Sequence, residues 1–371
     1  MKTDRALLIL LRSRLPDALL RTLLASHASP VDALAAARHG AGLSLPTEVR
    51  QALHQPNEPL LQADLAWLVP ANHRLLGWHD PDYPALLRRA PAPPALLFVA
   101  GDASLLWHPQ IAVVGSRRPT PGGQARARQF ARTFAAAGWV VTSGLAEGID
   151  TAAHLGALAA GRTVAVVGTG LDRAYPADNA ALMDRIAAEG AVVSEHPPGT
   201  AAIASHFPSR NRIIAGLSLG TLVVEAALRS GALISARLAA EAGREVFALP
   251  GSPDNPVARG CHRLIKDGAG LVETPAEVLT ALGPVAADLA QALRGRLGEA
   301  PDPAVGQSAR GQPAGDDDHN LLWSALGHDP TGMDHLAERT GLTVAALSSM
   351  LLIMELEGRV AADNGRYSRR S

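Results

Sequence analysis

The chain has 371 residues, 47% hydrophobic and 19% charged, which is ordinary for a soluble globular protein and leaves room for two or three domains. Its formal net charge of -1 excludes a general basic coat for nucleic acid, and the lone Cys261 excludes an internal disulfide and a cysteine zinc cluster. No apolar run approaches the roughly 20 residues that span a bilayer. The opening MKTDRALLILLRSRLPDALL carries Arg12 and Arg14 and lacks a small-residue cleavage site, so the expected compartment is the reducing cytoplasm.

Charge is uneven along the chain. Residues 110 to 275 hold 16 basic and 13 acidic side chains, whereas 316 to 371 hold 5 and 9. A polyanion would therefore have to be held in a local groove of the central block. Apart from Lys2 and Lys266 every cation is an arginine, a residue suited to bidentate phosphate contacts.

In residues 3 to 68, leucines recur at helical intervals, as in Leu7, Leu8, Leu11 and Leu15, and Pro16, Pro30 and Pro46 punctuate short helices. This predicts a small all-helical, SAM-like domain over 1–75. Residues 78 to 84, followed by Pro91, Pro93 and Pro94, read as a rigid connector, and Leu96 to Val99 as a strand at the sheet's margin.

From Ile111 onward, short apolar runs alternate with helix-length segments: Ile111–Val114, Val140–Thr142, Val164–Val167, Val192–Ser194, Leu222–Val224 and Val246–Ala248. That alternation predicts an α/β fold with a doubly wound, mostly parallel Rossmann-like sheet over 76–283. Gly115 ends the first run and sets Arg117 at the carboxyl edge of the sheet, where backbone amides and a helix N-terminus attract anions. The fingerprint G-x-G-x-x-G of dinucleotide binding is absent, so no nicotinamide cofactor is expected. A carboxylate partner across the sheet edge is the alternative role for Arg117.

Further loops opening at that edge carry Ser143-Gly144, Gly168-Thr169-Gly170 with Tyr175-Pro176, Ser194-Glu195, and Glu225 with Ser230-Gly231. Asp150 and His154 stand four apart; they could form an acid-base pair, but His154 as a plain helix-surface residue is the preferred reading. In Phe207-Pro208-Ser209-Arg210-Asn211-Arg212, an aromatic ring stands beside two arginines. This is the composition of a single-strand site, with a face for a base and guanidinium groups for phosphates.

Taken together, VGSR at 114–117, SGLAEGIDTAAHLGAL at 143–158, GTGLDRAYP at 168–176, SEHPPG at 194–199, FPSRNRIIAGLS at 207–218, VVEAALRSGALISA at 223–236 and ALPG at 248–251 resemble the DNA-processing protein A family, DprA or Smf. The resemblance covers roughly 78 to 273. It implies an extended Rossmann domain that binds single-stranded DNA, forms a homodimer and loads the RecA recombinase onto strands coated by single-strand-binding protein. Neither catalytic residues nor a cofactor or metal are implied. By motif match, Gly115, Ser116 and Arg117 carry over as the phosphate-binding turn and Phe207, Arg210, Asn211 and Arg212 as its companion strip; Ser143, Gly144, Gly168 and Gly170, in the loops at the same edge, are expected to cradle phosphates with their amides. Relatives can carry a lysine shortly before the Phe motif; this chain has Ala201 to His206 there, and Arg173 is a candidate substitute. The dimer contact is expected around Gly260 to Val272, through Cys261, Leu264 and Ile265 in a loop-like region.

A second reading, from a different class, is a nucleotide-binding enzyme of the phosphoribohydrolase type, whose signature is P-G-G-x-G-T-x-x-E. Leu217 to Glu225 lacks the paired glycines and sets Glu225 one residue too far from Thr221. Beyond it, residues 284–318 become rich in Pro, Gly, Ala and acid, the composition of a flexible linker. Residues 319–371 show three helical periods and a small wing, which predicts a winged helix. Its third helix, TVAALSSMLLIMELE, offers no Arg, Lys, Asn or Gln to base edges and carries Glu355 and Glu357. The expectation is an interaction or regulatory module that does not read DNA sequence.

Overall fold

The computed structural model describes residues 2–40 and 45–297, and, further on, 322–326, 331–342, 347, 350–351, 354, 360–363 and 366–369. It forms two compact units, 1–293 and 294–371.

The first unit begins with five helices, α1 (Lys2–Arg12), α2 (Asp17–Ser26), α3 (Pro30–Arg38), α4 (Thr47–His54) and α5 (Glu58–Trp67). Their leucines face inward as the periodicity requires, and Leu8, Leu20, Leu53 and Leu61 are fully buried. The same apolar cluster takes in Leu96 and Phe98 of the sheet and Leu182 and Ile186 beyond it. The helices therefore cover one margin of the sheet and share its core.

Nine strands make the sheet: β1 (His73–Gly77), β2 (Leu96–Gly101), β3 (Gln110–Val114), β4 (Val140–Ser143), β5 (Thr163–Val166), β6 (Ala191–Ser194), β7 (Gly220–Val223), β8 (Glu245–Ala248) and β9 (Gly270–Leu271). The order is β1-β2-β6-β5-β4-β3-β7-β8-β9. Strands β3 to β9 pair in parallel, while β2 joins β6, and β1 joins β2, in antiparallel sense. Leu96–Val99 is thus not at the margin as expected, because β1 covers its outer edge. Every residue of β3 to β7 is buried, which is why these strands read as unbroken apolar runs.

The connecting helices are α6 (Ala85–Arg88), α7 (Pro121–Ala136), α8 (Ile149–Leu158), α9 (Ala180–Glu189), α10 (His206–Leu217), α11 (Ala232–Glu241), α12 (Arg259–Lys266) and α13 (Pro275–Leu297). One face of the sheet packs Phe130 and Phe134 of α7, Ile149 of α8 and Leu282 of α13 against Ile111 and Val113. The other packs Ile213 and Leu217 of α10, Ala236 of α11 and Cys261 of α12 against Ala112 and Val114. Strands β4 to β6 lie to one side of β3 and β7 to β9 to the other, so the crevice at the carboxyl ends of β3 and β7 is the topological switch point. Two expectations change. Residues 259–266 are a helix, not a loop, and α13 runs past the boundary set at 283, with Ala286 and Leu289 packed on the core.

In the second unit, the helix Met333–Thr340 ends at Gly341, whose φ of +69° is the left-handed stop that glycine tolerates. Strands β10 (Thr331–Gly332), β11 (Val360–Asp363) and β12 (Arg366–Arg369) form a sheet in the order β10-β12-β11. Leu322, Leu336, Leu347, Met350 and Met354 fill its core. These are the parts of a winged helix. Glu355 and Glu357 lie outside the described residues. Among the described residues, no helix is long and apolar enough to cross a membrane.

One ion cluster fastens the helical cover to the sheet. Arg212 of α10 donates to both carboxylate oxygens of Glu195, at 2.7 and 2.6 Å, to the carbonyl of Ala92 at 2.8 Å, and lies 3.5 Å from Asp17 of α2. Its side chain is 17% exposed and that of Glu195 13%, so removing the arginine strands a largely buried carboxylate. Arg212→Ala should lower unfolding free energy by about 3 kcal/mol. Arg185→Ala, which breaks an exposed pair with Glu189, should leave the denaturant midpoint in place. Equal midpoints for the two variants would show that the cluster does not hold the cover.

Candidate nucleic-acid interface

The turn after β3 is clamped by its neighbours. A side chain at Gly115 would meet Ile149 at 2.6 Å and the Glu225 carbonyl at 2.9 Å, and the Ser116 N–H donates to that carbonyl at 2.6 Å. Gly148, at φ +81°, lies where a Cβ would stand 2.4 Å from the Ser116 carbonyl. With its inner side filled, the turn sends Arg117 and Arg118 into solvent. Neither guanidinium meets a hydrogen-bond or ion-pair partner among the described residues, so the carboxylate partner considered for Arg117 is not there.

The two arginines line a groove of about 840 Å³ at the switch point. Tyr175 and Phe207 stand in the same groove with ring centroids 4.9 Å apart, tilted by 32°, and Tyr175 is 47% exposed. Both rings also line a recess of about 70 Å³ together with Gly144, Gly168 and Arg117. Asn211 and the exposed Arg229 also line the groove. Arg118 was read from sequence as a phosphate donor beside Arg117, whereas Tyr175 and Arg229 were not assigned to the site; the ring pair joins a loop to the first turn of α10, distant in the chain, and only the fold brings them together.

Arg210 lines the groove but is 5% exposed. Its Nη1 donates to the carbonyls of Gly144, at 2.5 Å, and Val166, and its Nε to Oδ1 of Asn211 at 3.1 Å. Burial lowers its pKa to about 10, with Asp150 opposing the shift, so it stays charged at neutral pH. A Cβ at Gly144 would stand 2.6 Å from this guanidinium: the glycine makes room for the arginine. Asp150 accepts from the N–H groups of Gly144 and Ala146 at 3.1 and 3.4 Å, and burial raises its pKa. His154 is wholly buried, with Nδ1 2.8 Å from the Thr163 hydroxyl, and burial takes its pKa down to about 3. It is neither on the helix surface nor hydrogen-bonded to Asp150.

Other expected contacts lie elsewhere. The Ser143 hydroxyl is fully buried and donates to the Val113 carbonyl at 2.7 Å. Gly170 is buried against residues 197–200, where a Cβ would meet the Pro197 carbonyl at 2.7 Å. Arg212, about 200° around α10 from Arg210, faces the helical cover, not the groove. Arg173 stands 3.7 Å from Asp172 and does not line the groove.

The helix end after β3, expected to seat an anion, already holds one. Glu225 accepts from the Thr120 N–H at 2.8 Å and the Thr120 hydroxyl at 2.6 Å, while that hydroxyl caps Gly123 of α7. A Cβ on Gly123 would meet the carboxylate at 2.4 Å. Among the described residues no His, Cys, Asp and Glu side chains converge as a metal site.

The family described as DNA recombination-mediator protein A matches residues 74–283, and the DprA winged helix domain matches 306–366. Protein Smf of Synechocystis is 39% identical over 321 residues, 81% of either chain. The crystal structure of DNA processing protein A from Streptococcus pneumoniae aligns with a TM-score of 0.67 at 37% identity, over 75% of this chain and 97% of that one. The Helicobacter pylori DNA processing protein A, described for its single-stranded DNA binding mode, aligns with a TM-score of 0.52 at 31% identity, over 57% and 95%. With a family match over more than half its length and a relative this similar across four-fifths of both sequences, the chain belongs to the DprA/Smf family of DNA processing proteins.

Proposed function

We propose that the groove at the carboxyl ends of β3 and β7 binds single-stranded DNA, and that the protein works without catalysis, as a cytoplasmic mediator that loads RecA onto the strand. The observation that carries this reading is the meeting of the unpartnered, exposed Arg117 and Arg118 with the Tyr175–Phe207 ring pair in one groove. A single strand can turn its bases onto aromatic faces while its phosphates meet arginines; a duplex keeps its bases stacked inside. The relative from Helicobacter pylori, described for binding single-stranded DNA, supports the same assignment. RecA and single-strand-binding protein enter as partners through the family. The phosphoribohydrolase alternative is disfavoured because Glu225, the carboxylate it would use, is bound to the end of α7.

Fluorescence anisotropy tests the reading. The chain should prefer single strands to duplex, and Arg117→Ala should weaken binding to every sequence and flatten the salt dependence by about 0.7 in log–log slope, one phosphate's worth. Equal affinity for duplex, or wild-type binding by Arg117→Ala, would refute it. Titration with AMP and NAD probes the enzyme alternative.

The homodimer is part of the same proposal, with a changed contact set. Cys261 is fully buried, its thiol 3.7 Å from the Val223 carbonyl, and packs in the core. Leu264 and Ile265 are half-buried on α12, and Leu271 on the edge strand β9 is 49% exposed. A symmetric contact through these residues would need to bury more than about 1,000 Å². Light scattering should report a dimer at micromolar concentration that Ile265→Glu dissociates; a monomer unaffected by the change would contradict it.

A further inference from the structure

We infer that the groove contains a second phosphate seat, on its β7 side, built from Arg229, the Gly231 amide at the start of α11 and the Ser235 hydroxyl, and that it holds an internal phosphodiester of the strand whose other contact is Arg117. This rests on the proposed single-strand site and extends it to a two-point grip.

Ser235 is 3% exposed, yet it lines the groove and its hydroxyl bonds to no protein atom among the described residues. A helical serine ordinarily donates back to the carbonyl four residues earlier. Here that carbonyl, of Gly231, accepts the N–H groups of Ile234 at 3.0 Å and Ser235 at 3.4 Å. The residue is buried but its unpartnered hydroxyl is not sealed from solvent, so on the wall of a groove it is a donor open to a ligand.

Its surroundings favour an anion. The N–H of Ala232 is held by the Ser230 hydroxyl at 3.3 Å and those of Leu233, Ile234 and Ser235 by the carbonyls of Ser230 and Gly231, which leaves the N–H of Gly231, a residue of the groove lining, without a protein acceptor among the described residues. By contrast, the end of α7 is already filled by Glu225. A Cβ added at Gly231 would meet nothing within 4 Å, so there is open space in front of the turn. Arg229 is exposed, lines the same groove and has no partner among the described residues. The acid in the groove lining, Asp150, has its carboxylate turned to the loop amides of Gly144 and Ala146. A phosphate oxygen between Arg229, the Gly231 amide and Ser235 would satisfy all three donors at once.

The experiment is a scan of the full chain against a thymidine strand of about 12 nucleotides, within the usual range for a single-strand groove. Neutral methylphosphonates are placed one at a time along the strand and affinity is read by anisotropy. Two separated positions should each weaken binding about tenfold, as loss of a charged hydrogen bond does. Arg229→Ala should abolish the sensitivity at one position and Arg117→Ala at the other. Ser235→Ala should lower affinity severalfold with an unchanged melting temperature. If Arg229→Ala and Ser235→Ala bind like the wild type and leave the scan unaltered, the second seat does not exist, even where the Arg117 position persists. If affinity depends on a 5′-phosphate and inorganic phosphate competes for it, the seat takes a strand end, and the internal assignment is overturned. Insensitivity at every position, with Arg117→Ala also silent, would bring down the groove reading itself.

Discussion

A guanidinium placed inside a sheet edge must find enough acceptors to offset the water it loses, and Arg210 finds them in the chain ends around it. Its nitrogens reach the carbonyl just past β4, the carbonyl at the end of β5 and the amide oxygen of its neighbour Asn211. Asp150, at the start of α8, faces the same cation and holds the amides of the β4 loop. One buried charge therefore ties two strand ends, one helix start and α10 into a fixed frame. Gly144 belongs to that frame because any side chain there would occupy the space of the guanidinium. The cation also raises the potential of the groove floor without reaching solvent, while Arg117 and Arg118 above it remain free to bind.

The same economy of charge explains how a chain of net charge -1 can present a site for a polyanion. Two arginines that the fold uses for itself are ion-paired: Arg212 with Glu195 and Asp17, and Arg12 with Asp64 in the helical cover. Where a carboxylate would oppose binding, it is turned away, as Glu225 is toward α7 and Asp150 toward loop amides. What remains in the groove is a small set of exposed cations beside two rings, enough for a local positive field.

Much of this was legible in the sequence, for physical reasons that also mark where reading stops. Parallel strands buried on both faces leave continuous apolar runs, so β3 to β8 were found within a residue or two, and the glycine turn after Val114 pointed to Arg117. Strand β1 was missed because His73 and Arg74 break its apolar half, and β9 because it has two residues. Within Arg210-Asn211-Arg212 nothing local says which arginine turns inward; helical geometry sends them to opposite sides, one into the site's floor and one to the cover. Ser143 and Gly170 looked like ligand contacts because they sit in edge loops, but a hydroxyl at a strand end bonds its neighbouring strand, and a glycine can serve close packing of two loops. Tyr175 needed the tertiary fold, since its partner Phe207 comes from the first turn of α10.

In the proposed complex a strand of DNA lies on the Tyr175–Phe207 face. Photocrosslinking tests it directly, using single strands carrying 5-iododeoxyuridine and peptide mapping by mass spectrometry. Adducts are expected on the peptides that hold Tyr175 and Phe207, and they should disappear when both residues are replaced by alanine. Adducts confined to residues 319–371, or spread over the helical cover with the ring pair untouched, would contradict it.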